Sequence, residues 1–173
     1  MALTKLNYTG QGVVPHAKMP TGSVLQTVHA TTTTAVSTNS TDYTSTNLTA
    51  NITPKSSNSK ILVTTFLHCK IRGDHDHGMG FKITRAISGG ATSDAYASPT
   101  PQDEYRYSSD GSTSSGTIDV RGRMSWSFFD TPSTTSACTY LVYYRSHGTA
   151  NSNSPAVQSD ASPSMITLQE IAG

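Results

Sequence analysis

Charge is scarce in this 173-residue chain: only 13% of it is Asp, Glu, Lys or Arg, and the net charge is +1. A surface this close to neutral argues against non-specific DNA binding as the main role, and no nucleic-acid partner is expected. Large aliphatics and phenylalanine are also few. Leu (8), Ile (8), Val (9) and Phe (4) make 29 residues, a thin core for the length. That shortage signals disorder only when net charge is high, which it is not. No apolar run approaches the ~18 residues of a membrane span, so membrane insertion is not expected. The opening MALTKLNYTGQGVVPHAKMP lacks the long apolar stretch of a secretory signal. Cys69 and Cys138 are the only cysteines, too few for a disulfide framework. Both fall in strand-like runs and read as buried thiols.

Serine (25) and threonine (27) supply 52 residues, nearly a third of the chain. Little Leu, Ala, Glu or Lys is left for helices, while Thr and Tyr favour strands. A helical bundle is excluded on composition. Seven strand-like runs, at about 23–37, 43–53, 60–72, 79–88, 117–129, 137–146 and 164–171, are separated by Gly, Ser, Asn and Pro clusters. In 60–72, Ile61, Val63, Leu67, Cys69 and Ile71 fall on one face, with Lys60, His68, Lys70 and Arg72 on the other. In 117–129, Ile118, Val120, Met124, Trp126 and Phe128 alternate with Thr117, Asp119, Arg121, Arg123 and Ser125. Leu48, Ala50 and Ile52 share a face in 43–53. Side chains alternate along a strand, so these runs describe sheets buried on one side. The fold class expected is all-β: a jelly-roll-like antiparallel β-sandwich over 21–173, with an irregular N-terminal arm over 1–20.

Run 137–146 is apolar on both faces, with Cys138, Tyr140, Val142 and Tyr144 on one and Leu141 and Tyr143 on the other. Such a strand is either central and covered or meets another subunit. Segments 89–116 and 147–163 are too long for ordinary connections and are expected as surface loops.

Several groups of residues could carry chemistry. Gly73-Asp74-His75-Asp76-His77-Gly78 sets four potential ligands between two glycines, and imidazole with carboxylate suits Zn²⁺, which makes His75 and His77 metal candidates. The same segment also reads as a plain hairpin turn or as a pH-sensitive or receptor contact. No G-x-S-x-G elbow, P-loop or dinucleotide fingerprint is present. Asp103, Glu104 and Asp110 could pair for glycoside cleavage, but neighbouring acids in a loop are ordinarily solvated. No enzyme activity and no cofactor are expected. Tyr96, Tyr105 and Tyr107 with Arg106 and Asp110 suit binding better. Tyrosine offers flat apolar area and a hydroxyl to protein or sugar. The alternative is that these rings pack the loop onto its own domain or a neighbouring subunit. The arm carries Leu3, Leu6, Tyr8, Val13 and Val14 as anchors for a partner.

The stretch TGSVLQTVHATTTTAVSTNSTDYTSTNLTANITPKSSNSKILVTTFLH resembles a pattern of small virion proteins of tailed bacteriophages. In it a "GSVLQ" start leads to a Ser/Thr-rich strand, an "LTA-ITP" strand, a Ser-rich turn and "SKILV". FFDTPSTTSACTYLVYYRS and SMITLQEIAG are similar to its penultimate and closing strands. The likeness covers most of 21–173 and includes no catalytic signature. It implies a jelly-roll-like head, often trimeric, on a virion-attaching arm, assembled in the host cytoplasm.

The partners expected are therefore other copies in a homotrimer, virion proteins through the arm, and a host-surface glycan or protein. The role expected is a short fibre for host attachment. The alternative is a capsid decoration protein, and a polysaccharide-depolymerising spike ranks last. Loops 73–79 and 89–116 flank one strand and should emerge at opposite ends unless the longer one folds back. The longer loop is then the expected receptor contact.

Overall fold

A computed structural model describes residues 15–73, 77–98, 105–107, 118–147 and 155–173. They form strands β1 (Val24–Thr32), β2 (Val36–Ser37), β3 (Thr44–Ile52), β4 (Lys60–Gly73), β5 (His77–Ile87), β6 (Thr92–Ala97), β7 (Tyr105–Tyr107), β8 (Ile118–Asp130), β9 (Cys138–Ser146), β10 (Ala156–Val157) and β11 (Ser164–Ile171). Two short 3-10 turns lie at His16–Lys18 and Ser159–Ala161.

All pairing is antiparallel. In the first sheet β11 lies between β1 and β4, and β8 takes the other edge of β4. In the second, β9 lies between β3 and β5, and both β6 and β7 pair with the far edge of β5. The long strands thus run β1-β11-β4-β8 in one layer and β3-β9-β5-β6 in the other. That order is a jelly roll, two four-stranded layers linked by Greek-key crossings. The expected fold class holds.

The predicted strand 23–37 is interrupted. Its last two residues form β2, which pairs with β10 much as β1 pairs with β11. Between these pairs, 33–35 and 158–163 leave the ladder side by side. Gln158, Asp160 and Ala161 have positive φ there, and buried Gln158 donates its backbone N–H to the His68 carbonyl. Part of the predicted loop 147–163 is therefore strand, because the β10 backbone is held from both sides. Loop 89–116 likewise contains β6 and β7. TSDAYA has little apolar content to announce a strand, and its pairing comes from the exposed edge of β5.

The core lies between the layers. Ile61, Val63, Leu67 and Cys69 of β4 face Leu48 of β3, Phe81 and Ile83 of β5, and Tyr140, Val142 and Tyr144 of β9, all essentially inaccessible. Each such aliphatic or aromatic burial is worth about 1.5–3 kcal/mol. Cys69 and Cys138 are buried free thiols, and burial pushes the Cys69 thiol up to about 12. The two-sided strand β9 is central: one face is core, and β3 and β5 flank it.

A charged pair enters the sandwich at the end of β8. Asp130, at the end of β8, receives the Arg85 guanidinium at 2.6 Å and the Tyr140 hydroxyl at 2.7 Å, tying the first sheet to two strands of the second. Arg85 and Asp130 are 16% and 11% exposed, so removing one partner strands the other in a poorly solvated site. Asp130→Ala should cost about 3 kcal/mol in denaturant unfolding. Unchanged stability would show the ion pair to be dispensable.

Candidate functional site

The strand directions give the sandwich two dissimilar ends, separated by the 14 residues of β4, or about 46 Å. At the basal end β1 starts, β3 ends, β4 starts and β11 ends. The segment leading in from the arm is fastened there: Gly22 donates to the Ala172 carbonyl and Ala172 to the Ser23 carbonyl. His16 and Met19 line a cleft of about 350 Å³ with Leu25, Lys55, Ser59 and Ala172. At the distal end β4 stops, and β5 and β8 begin beside it.

β6 and β7 run back along β5, with Ala97 beside Lys82 and Tyr107 beside His77. The long segment therefore returns to the end from which the 73–77 connection springs. The longer loop thus folds back, the stated exception to opposite ends, since the ladder with β5 carries the chain the length of the strand.

The outward surface from mid-sheet toward this end is cationic and aromatic. On the second sheet Lys82 Nζ sits 4.8 Å from the Tyr43 ring centre and 5.7 Å from that of Tyr143, and 3.3 Å from Asp94. The Arg145 guanidinium lies 5.1 Å from the Tyr43 ring. Cation–π contacts at such exposed sites contribute about 0.5–1 kcal/mol each, and they hold the cations upright over the rings.

On the first sheet Lys70, Arg121 and Asp119 form an ion-pair network that Asp160 joins through Arg121. Hydrogen bonding from Arg121 is the main reason the Asp119 carboxyl sits below its usual range. Arg123 lies 5.2 Å from the Phe66 ring. Guanidinium forks and tyrosine faces suit carboxylate, phosphate or sugar groups.

The sequence-predicted residues divide between this surface and the core. Arg106 is exposed on β7 beside Gly78. Tyr96 faces inward instead, its ring 5.4 Å from Phe128 and 5.9 Å from Trp126. Tyr105 also packs against the core, and burial raises its hydroxyl pKa. The expectation of these two rings as loop-borne contacts is corrected by alternation along β6 and β7, which turns them into the gap between the sheets.

Tyr107 pairs with His77 through the backbone, but its side chain lies outside the described residues, as do Asp110, His75 and the arm anchors Leu3, Leu6, Tyr8, Val13 and Val14. His77 is buried, its imidazole where a β-carbon on Gly73 would sit. Tyr43 and Lys82 were missed because they come from separate strands. Run 137–146, which holds Tyr143 and Arg145, reads in sequence only as a strand apolar on both faces.

Gly122 has a specific task here. A β-carbon on it would lie 2.5 Å from the Tyr105 hydroxyl and 3.3 Å from its ring. Gly122→Ala should cost about 1–3 kcal/mol through overpacking, with Tyr105→Phe recovering part of the loss in the double variant. Equal loss with and without the hydroxyl would show that the clash lies elsewhere.

A second prediction concerns His68. Burial, then Arg123, lowers its pKa, partly opposed by Asp160. The unfolded chain then binds more protons than the native one, so stability falls as pH drops through the unfolded value near 6.5. Thermal melts from pH 7.5 to 5 should show a smaller decline for His68→Gln than for the parent chain; identical declines would remove His68 from the linkage.

No family model matches the chain, and no curated protein matches it. Solved structures similar to it are the infectious bursal disease virus Gx strain (14% identity, TM-score 0.42), the VP2 subviral particle of that virus (15%, 0.40) and T=1 particles derived from it (13%, 0.39). Each match covers 94% of this chain and about two-fifths of the other. Likeness this slight carries no argument about function, and the jelly-roll assignment rests on strand order alone.

Proposed function

We propose that the chain is a virion structural protein of a tailed phage, the head of a short fibre that meets the host surface with its distal end. The observation that carries this reading is the polarity of the sandwich. The segment leading in from the arm is fastened at the basal end, while the returning edge strand and the Tyr43–Lys82–Tyr143–Arg145 surface lie toward the other. A fibre head needs that separation of anchor and contact, with a rigid body between.

Residues 1–20 join other virion proteins, and the copies assemble as a homotrimer, as the phage resemblance implies. The contact surface recognises a sugar or protein group through stacked tyrosines and guanidinium donors. Capsid decoration remains the second reading, because the same anchored body could sit on a head lattice.

Full-length protein added to host cells should compete with virions for adsorption. Tyr43→Ala combined with Arg106→Ala should weaken that competition at least tenfold, while Lys55→Ala at the basal end leaves it unchanged. Failure to compete at saturating protein, with immunogold labelling on head lattice points, would replace the fibre with decoration.

A further inference from the structure

β8 is the longest strand at a sheet margin. It pairs with β4 over all 13 residues from Ile118 to Asp130 without a register shift. Among the described residues no strand takes its other edge. Edges this long are normally blunted by proline, a bulge, lysine or shortness. β8 has no proline, bulge or lysine; its charges Asp119, Arg121, Arg123 and Asp130 lie outside Met124–Phe129 (MSWSFF), which is rich in strand-forming aromatics. Phe129 is 60% exposed. Met124, Trp126 and Phe128, on the inner face, are only half-buried because no strand lies beyond them. The Trp126 indole N–H is buried without a partner among the described residues.

The sequence of this edge is complementary to itself. If a second copy pairs antiparallel about a two-fold axis at Trp126, Arg123 stands opposite Phe129, Ser125 opposite Ser127, and Met124 opposite Phe128. These are a cation–π pair, a hydroxyl pair and a sulfur–aromatic pair, and no like charges face each other. Shifting the axis to Ser125 would bring Phe128 against Gly122, where the Tyr105 ring already fills the space.

We propose that β8 is a self-association edge, on which a second copy of this chain pairs strand to strand about Trp126 and joins the two first sheets into one. The contact is isologous and closes after two copies. It is independent of the fibre reading and adds a two-fold contact to any three-fold assembly.

Sedimentation of the full chain should show a twofold mass change on dilution, from dimer to monomer or from paired to single trimers. Ser125→Lys with Ser127→Lys sets lysines opposite each other and should weaken association at least tenfold. Mixing that variant with the Ser125→Glu, Ser127→Glu chain should restore it.

A second measurement covers the case where the charged variants fail to fold. Ser125→Cys and Ser127→Cys chains, oxidised mildly, should cross-link when mixed and not when kept apart, because 125 faces 127 across the axis. A parent chain with no twofold step, a lysine variant that associates as the parent does, or cross-linking of either cysteine variant alone would overturn the proposal.

Discussion

Two sheets, each with one apolar face, must press those faces together, and every other feature follows from how β4 meets that demand. It carries the longest inward row and is paired along both edges, so it fixes where the β1–β11 pair and β8 can lie. The second layer then has to cover it, and β9 does so from the middle of its own sheet. With few large aliphatics, the chain fills the space with Tyr140, Tyr144 and Phe81. Tyrosine in a core needs its hydroxyl placed, and Tyr140 meets this by donating to Asp130.

One charged group taken into the body is tied off at its basal end. Glu170 is fully buried, yet its carboxylate accepts backbone N–H groups from Lys55 and Ser56 and the side-chain amide of Gln26. One carboxylate thereby holds the β3–β4 turn, the first strand and the last strand together. Buried polar groups stabilise only when satisfied in this way.

Much of the architecture was legible in the amino-acid order. Alternation in 60–72, 117–129 and 43–53 identified β4, β8 and β3 with the correct inward residues, since a one-sided sheet writes a period of two into its strands. The weak strands were not legible. β6 and β7 carry too little apolar signal, and they are strands because β5 offers them an edge. Nor was the contact surface: run 137–146 reads in sequence only as a strand apolar on both faces, and Tyr43 and Lys82 join Tyr143 and Arg145 only across neighbouring strands.

By itself, then, the sequence determined an all-β chain, the identity of its long strands and which side chains point inward, because these depend on local alternation. Only the tertiary structure decided the strand order, the return of 92–107 along β5 and the inward placement of Tyr96 and Tyr105. Those depend on which edges meet, and pairing partners far apart in the chain leave no local mark in it.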